Sequence, residues 1–285
     1  RFVLAPSVLL DGSTYRMWYA GSGAATSNRR IGYATSPDGL VWSRQGGAPV
    51  LSPGPNGSWE SAQVGFPSVI KDGDTYKMWY TALDAAAIGR VGYATSADGM
   101  TWTKYAGNPV LTAGSTGSWD AAYVGSPQVV KVDGVYHLWY RGGLEGDIGY
   151  ATSSDGVTWT KSTHNPVIAS GSGGWDDAAY HPRVVFDGAL FHIWYSGCNP
   201  AGDVCQVGYA TSSDGAHWTR LGMVLPQGAS GVWDDGGADH AAVLLVGTTL
   251  KMWYSGYDGE VYRIGYASAA TTALDHALFI PSLVR

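Results

Sequence analysis

The sequence predicts an all-β protein, a single five-bladed β-propeller with four antiparallel strands in each blade. The dipeptide Trp-Tyr occurs five times, and a Gly-Tyr dipeptide follows each copy. The tryptophans of these copies are separated by 61, 60, 55 and 59 residues and are Trp18, Trp79, Trp139, Trp194 and Trp253. A repeat longer than about 40 residues that is built from short strand-like runs is typical of propeller blades. The 41 glycines and 13 prolines lie between those runs, as many tight turns require.

The second repeat shows the elements of a blade in order. Two Asp-Gly dipeptides, Asp72-Gly73 and Asp98-Gly99, mark hairpin turns. Runs rich in branched and aromatic residues flank these turns and predict strands at 66–70, 75–80, 90–95 and 102–111. Repetition of this unit along the whole chain predicts that residues 1–285 form one domain. The predicted blades are at about 1–62, 63–122, 123–177, 178–236 and 237–285.

Two sets of acidic residues recur in the same place of successive repeats. The hairpin turns contain Asp38, Asp98, Asp155 and Asp214. The loops between blades contain an acidic residue directly after a tryptophan, at Glu60, Asp120, Asp176 and Asp234. Because a residue that is present in nearly every blade helps to build the blade, we interpret both sets as structural.

Charge and cysteine content limit the class of protein. The net charge is −6 and lysine and arginine form no cluster, which argues against nucleic acid and membrane surfaces as partners. The two cysteines, Cys198 and Cys205, share one loop and predict a hairpin disulfide, which suits a secreted protein. The chain begins at Arg1, so either a signal peptide was removed or the sequence starts within a longer one. We expect a monomer.

Positions that break the repeat are the candidates for function. Propellers bind ligands over the central channel, where the innermost strands begin. There, blade 4 has His181 and Arg183, and blade 5 has Asp239 and His240. In blade 3, Arg141 follows Trp-Tyr where the other copies have small residues, and Glu145 lies in the next loop.

We therefore predict one site at the channel mouth. Histidine exchanges protons near neutral pH, and arginine binds carboxylates or developing negative charge. His181, Asp239 and Glu145 are the predicted catalytic residues. The residues predicted to bind substrate are Arg183, His240, Arg141, Tyr180, Tyr123 and Gln128. No cofactor is expected, although His181, His240 and Asp239 offer nitrogen and carboxylate ligands of the type that hold a divalent cation.

The repeated motifs resemble a known group of enzymes. They are Pro-x-Val, Asp-Gly, Met-Trp-Tyr, Ile-Gly-Tyr-Ala-Thr-Ser, Asp-Gly-x-x-Trp and Asn-Pro-Val, and they cover nearly the whole chain. This pattern resembles the five-bladed propellers of glycoside hydrolase families 43 and 32. The resemblance implies carbohydrate as the ligand and hydrolysis by two carboxylates. However, the three positions where those families have catalytic carboxylates hold Ala5, Ser126 and His181.

Three readings of function remain open. The first is a glycoside hydrolase-like enzyme with a relocated site. The second is a glycan-binding propeller that has lost its catalytic residues. The third is a metal-dependent protein or a uronate lyase on the same scaffold, in which Arg183 or Arg141 holds the uronate carboxylate.

Overall fold

The structure is a computed structural model that describes residues 2–23, 28–121, 123–143, 146–171, 173–202 and 204–270. Its strands form five separate antiparallel sheets, which confirms the predicted all-β propeller with five blades. Blade 1 contains β1 (Phe2–Asp11), β2 (Thr14–Ser22), β3 (Arg30–Ser36) and β4 (Ser43–Arg44). Blade 2 contains β5 (Gln63–Asp72), β6 (Thr75–Leu83), β7 (Gly89–Ser96) and β8 (Thr103–Lys104). Blade 3 contains β9 (Val124–Val132), β10 (Val135–Gly142), β11 (Asp147–Ser153) and β12 (Thr160–Lys161).

The last two blades continue this pattern. Blade 4 contains β13 (Ala178–Phe186), β14 (Phe191–Cys198), β15 (Cys205–Ser212) and β16 (Thr219–Leu225). Blade 5 contains β17 (Gly237–Val246), β18 (Thr249–Tyr257) and β19 (Tyr262–Ala270), and its predicted fourth strand falls beyond the described residues. The described part of the chain contains no helix long and apolar enough to cross a membrane.

The first strands of the five blades form a closed ring. β1 contacts β5 and β17, and β9 and β13 complete the ring between them. The Trp-Tyr tryptophans are buried between blades, and the indole N–H of four of them donates to the glycine carbonyl of the next blade's Asp-Gly turn. These bonds join Trp18 to Gly99 (2.8 Å), Trp79 to Gly156 (2.7 Å), Trp139 to Gly215 (2.8 Å) and Trp253 to Gly39 (2.6 Å). The last bond links blade 5 to blade 1 and so helps to close the ring.

The repeated acidic residues have the structural surroundings that we inferred. Asp98 Oδ1 accepts hydrogen bonds from the backbone N–H groups of Met100 and Thr101, both at 2.7 Å, and these bonds lower the pKa of the carboxyl. Between blades, Asp120 accepts from Tyr140 and Lys161. The predicted disulfide between Cys198 and Cys205 is also present, and it joins the ends of β14 and β15.

Candidate functional site at the channel mouth

A β-bulge interrupts each inner strand where it enters the central channel. The residue at each bulge is not glycine and nevertheless has a positive φ, at Ala5 (52°), Phe66 (50°), Ser126 (47°), His181 (51°) and His240 (48°). Left-handed backbone is unfavourable for residues with a Cβ atom, and such strain collects at functional sites. These residues surround an axial cavity of about 20 Å³, which is roughly the space that one water molecule needs.

Side-chain hydroxyls hold three of the five bulges. The residue after Trp-Tyr in one blade accepts a hydrogen bond from the bulge N–H of the next blade. These bonds run from Ala5 to Ser255 (3.1 Å), from Ser126 to Thr81 (2.7 Å) and from His240 to Ser196 (3.0 Å). In blades 1 and 3 the equivalent residues are Ala20 and Arg141, which have no hydroxyl. Arg141 therefore replaces a framework group with a cation.

The two bulge histidines stack on one another. The rings of His181 and His240 are 3.6 Å apart at their centroids and tilted by 26°. Phe66 packs against both rings, at 5.4 Å from His181 and 5.5 Å from His240. Burial, followed by the electrostatic interactions with His240, Arg141 and Arg29, lowers the pKa of His181 well below its usual range. His181 is consequently a neutral imidazole at neutral pH.

Asp239 contributes a carboxylate to this histidine pair. It stands one residue before the bulge of blade 5, and its Oδ1 lies against Nδ1 of His240. Both side chains are nearly buried, with 8% of each residue exposed. Ligand atoms of His181, Asp239 and His240 all lie within 4.8 Å of one another. The predicted convergence of these three residues is therefore present.

Two arginines flank the cluster on aromatic surfaces. Arg141 lies over the rings of Tyr180 (4.3 Å) and Tyr123 (4.9 Å). Arg29 lies over the rings of Phe66 (5.1 Å) and Phe2 (5.8 Å), and its burial lowers its pKa. Within the described ranges no carboxylate is paired with Arg29. Weakly hydrated guanidinium groups of this kind are good binders of anionic groups.

Glycines shape the positions of the two tyrosines. A Cβ at Gly89 would lie 2.4 Å from Tyr123, and a Cβ at Gly146 would lie 2.2 Å from Tyr180. Each of the two glycines lies two residues before the Ile or Val that opens the motif Ile/Val-Gly-Tyr of a third strand. The absent side chains let the tyrosines of the following blade pack over the third strands.

Sequence reasoning missed three residues of this mouth. They are Phe66, Arg29 and Tyr262, of which Tyr262 lies near Asp239 and Arg29. Arg29 and Tyr262 occupy in blades 1 and 5 the repeat position that is Gly89 and Gly146 in blades 2 and 3. This replacement of glycine by a large side chain is the sequence signal from which Arg29 and Tyr262 could have been identified.

Arg183 and Gln128 form hydrogen bonds within the channel that the sequence did not predict. Arg183 donates to the carbonyl oxygens of Ala241 (3.1 Å) and Pro6 (2.6 Å) and to the side-chain oxygen of Gln128. These bonds tie blade 4 to blades 5, 1 and 3 inside the channel. Burial lowers the pKa of Arg183 to about 10. Arg183 also lines the axial cavity together with His181 and His240, and substrate binding by Arg183 or Gln128 stays a prediction.

The other predicted site residues divide into two groups. His181, Asp239, His240, Arg141, Tyr180 and Tyr123 meet at the mouth, where their chemical roles stay predictions. Glu145, predicted to be catalytic, lies outside the described residues.

A larger cavity of about 660 Å³ lies away from the axis, between blades 1 and 5. Its lining includes Tyr19 and Gly32. In the other four blades the equivalent glycines, Gly92, Gly149, Gly208 and Gly265, contact a loop tryptophan. This cavity therefore occupies the place at Gly32 that a loop tryptophan fills in the other four blades.

Comparison with known proteins identifies a carbohydrate-active family. The model of a family described as beta-1,4-mannooligosaccharide phosphorylase matches residues 6–185, which are 180 of the 285 residues. An uncharacterised protein of Mycobacterium tuberculosis is 30% identical over 187 residues, which cover 61% of this chain and 60% of that protein. The chain thus spans about three fifths of the length of this curated relative.

Solved structures share the fold. One comes from work stating that a family of mannoside phosphorylases contains glycoside hydrolases that target beta-1,2 mannosidic linkages in Candida mannan. It is 21% identical, covers 95% of this chain and 85% of that one, and has a TM-score of 0.72. A thermostable family-43 glycoside hydrolase is 18% identical, covers 93% and 89%, and has a TM-score of 0.73. The resemblance to family 43 is thus confirmed for the fold, whereas the family model that matches is a different one.

Proposed function

The chain belongs to glycoside hydrolase family 130, a carbohydrate-active family, and from this we propose that it cleaves β-mannosidic oligosaccharides by phosphorolysis. The observation that carries the proposal is the charge of the mouth. Two guanidinium groups, Arg29 and Arg141, flank the histidine pair, whereas Asp239 is the one carboxylate in contact with it among the described residues.

This charge balance favours phosphate over water as the nucleophile. A hydrolase of the usual kind needs two carboxylates, one to protonate the leaving oxygen and one to activate water or attack the sugar. In phosphorolysis, inorganic phosphate attacks the sugar, so the protein needs cations to bind phosphate and one proton donor. The mouth has cations on both sides of the cluster and a single described carboxylate.

Each group then has a defined part in the reaction. Arg29 and Arg141 bind the phosphate oxygens next to the neutral imidazole of His181. A phosphate oxygen forms a bond to the anomeric carbon while the bond from that carbon to the glycosidic oxygen breaks. The Asp239–His240 pair supplies the proton that the leaving oxygen accepts. The products are a mannosyl phosphate and an oligosaccharide that is shorter by one sugar.

The aromatic side chains suit a sugar ligand. Tyr123 and Tyr180 line one side of the mouth and Phe66 the centre. Aromatic faces pack against the C–H surfaces of a sugar ring, while tyrosine hydroxyls and arginine N–H groups bond to its hydroxyls. The substrates expected are the β-1,4- and β-1,2-linked mannosides acted on by the relatives.

The test is the phosphate dependence of turnover. The purified chain is incubated with β-1,4- and β-1,2-mannooligosaccharides, with and without inorganic phosphate, and mannosyl phosphate is measured by phosphorus NMR. We expect product only with phosphate. Free mannose released without phosphate would replace phosphorolysis by hydrolysis, and binding of the oligosaccharide without any product would make the chain a glycan-binding propeller.

Arginine variants sharpen this test. Arg29→Gln and Arg141→Gln should each raise the KM for phosphate at least tenfold. Arg90→Gln is the matched control, because Arg90 is paired with Asp84 at 2.9 Å and is not part of the cluster. An equal change in all three variants would contradict phosphate binding at the mouth.

We further propose that the protein acts as a secreted monomer. The disulfide between Cys198 and Cys205 is the observation that favours an oxidising compartment. Light scattering of the purified chain and thiol labelling of protein from its native source test the two statements.

A further inference from the structure

The strongest unassigned feature of the molecule is the set of nitrogen and oxygen atoms buried on the propeller axis. Nδ1 of His181 is buried without a hydrogen-bond partner in the described part of the chain. Nδ1 of His240 and Oδ1 of Asp239 are also buried and make no hydrogen bond of normal geometry, although they lie against each other. Buried polar atoms are nearly always satisfied, so the unpartnered Nδ1 of His181 next to the irregular contact between Asp239 and His240 needs an explanation.

We propose that His181, His240 and Asp239 hold one first-row transition-metal dication, such as Zn²⁺, at the channel mouth. The ligand atoms lie within 4.8 Å of one another. In a tetrahedral zinc site with bonds of about 2.1 Å, ligand atoms lie about 3.4 Å apart. Because the two rings are stacked, binding one ion requires them to turn about their side-chain bonds until both nitrogen lone pairs point at it. The axial cavity of about 20 Å³ is lined by both histidines and has room for one ion.

The donor set determines which ion fits. Two imidazoles and one carboxylate suit Zn²⁺, Fe²⁺, Mn²⁺ or Co²⁺. Ca²⁺ and Mg²⁺ prefer six or more oxygen ligands, which this cluster does not offer. Three protein ligands leave at least one coordination position open, as catalytic rather than purely structural zinc sites do.

The neighbouring backbone and side chains hold the two histidines in place. The bulge backbone holds both histidines at φ values of 51° and 48°, and Ser196 fixes the N–H of His240. Phe66 covers both rings and excludes water from one side.

The two arginines set what binds next to the ion. Arg29 and Arg141 are close enough to His181 to lower its pKa. A dication among these groups makes the mouth strongly positive, so the open coordination position should take an oxygen of an anionic ligand or a hydroxide. This inference does not depend on the proposed function. Because Asp239 and His240 cannot hold an ion and donate a proton at the same time, the metal-bound protein is a different state from the one that performs the proposed phosphorolysis.

The test measures metal binding without any substrate. The full chain is stripped with a chelator and dialysed, and Zn²⁺ and Co²⁺ are then titrated by calorimetry. We expect one ion per chain, and a visible absorption spectrum of the Co²⁺ form that is typical of four or five ligands. A stripped protein that takes up no ion, or several weakly, would overturn the proposal.

Variants locate the ion. His181→Ala and His240→Ala should each weaken binding at least 100-fold, as should Asp239→Ala. His217→Ala is the matched control, because His217 lies 2.7 Å from Asp214 in an exposed histidine–aspartate pair. Circular dichroism checks that each variant folds, and a rise in the melting temperature of wild type on adding Zn²⁺ provides a readout without mutation. Equal affinity in wild type and the three cluster variants would refute the site. Phosphate dependence tests the proposed function separately, since it requires no measurement of metal.

Discussion

Asp120 and Asp239 are both buried carboxylates, with 2% and 8% of the residue exposed, but the protein surrounds them differently. Asp120 accepts hydrogen bonds from Lys161 (2.6 Å), Ser118 (3.0 Å) and Tyr140 (3.3 Å). The side chain of Asp239, judged over the described residues, faces the imidazole of His240 without a well-formed hydrogen bond. One carboxylate is saturated with donors, and the other keeps acceptor capacity.

The difference in hydrogen-bond partners distinguishes a carboxylate that stabilises the blades, Asp120, from one that can contact a ligand, Asp239. Asp120 belongs to a set of four acidic residues in equivalent loops, and each of the four accepts a hydrogen bond from the tyrosine of a Trp-Tyr pair. Asp239 has no acidic counterpart, since the equivalent residues are Leu4, Gly65, Gly125 and Tyr180. A buried carboxylate that occurs once and contacts a single imidazole keeps acceptor capacity for a ligand, whereas a repeated and saturated one stabilises the blade.

The largest expected effect is on turnover at Asp239. Asp239→Asn removes the acid and should lower kcat on mannooligosaccharides by about 100-fold or more, the typical contribution of a positioned acid or base. Thermal unfolding should be nearly unchanged, because few contacts are lost. Steady-state kinetics and a melting curve measure both, and turnover within threefold of wild type would remove Asp239 from the reaction.

The opposite pattern is expected at Asp120. Asp120→Ala leaves Lys161 and Tyr140 without their shared acceptor and should reduce the free energy of unfolding by about 1–3 kcal/mol. Turnover per folded molecule should stay close to wild type. Urea unfolding followed by tryptophan fluorescence measures the change, and an unaltered midpoint would contradict the framework role.

The free energy of unfolding, measured as a function of pH, compares the channel mouth with the framework, because their groups titrate in different pH ranges. His181 has a lowered pKa in the folded state, so below about pH 6.5 the unfolded chain binds a proton that the folded protein resists. Stability should therefore fall with pH below this value, by up to about 1.4 kcal/mol per pH unit for this one group.

His181→Gln should reduce that slope between pH 6.5 and 5. The charged and titratable groups around His181 are His240, Asp239, Arg141 and Arg29. His137 adds a separate contribution because burial also lowers its pKa. Framework carboxylates such as Asp98, whose pKa is lowered, lose their stabilisation only below about pH 4. Identical slopes in wild type and variant would contradict a neutral His181.

The smallest expected effect concerns the exposed histidine–aspartate pair. His217→Ala breaks a contact of 2.7 Å between side chains that are 67% and 49% exposed. Surface pairs of this kind contribute about 0–1 kcal/mol, so the melting temperature should change by no more than about 2 °C. A larger fall in the melting temperature would mean that a histidine–aspartate contact stabilises the protein strongly even when both side chains are exposed.

The sequence predicted the parts of the molecule that depend on local patterns. Strand alternation, Asp-Gly turns and the spacing of Trp-Tyr identified five blades, and two cysteines in one loop identified the disulfide. Comparison between repeats also found His181, Asp239, His240 and Arg141, because these polar residues depart from the residues that most other blades have at the equivalent positions.

Only the tertiary structure decided which residues meet on the axis and which are already occupied. Phe66 looked ordinary in its own blade, yet it packs against histidines of blades 4 and 5. Arg183 was predicted to bind substrate from its position alone, and the structure adds that it donates hydrogen bonds to Pro6, Gln128 and Ala241 from three other blades. The physical reason is the same for both. A blade is specified by contacts within about 60 residues, whereas the mouth forms only when ring closure brings together groups that are as many as 250 residues apart in the chain.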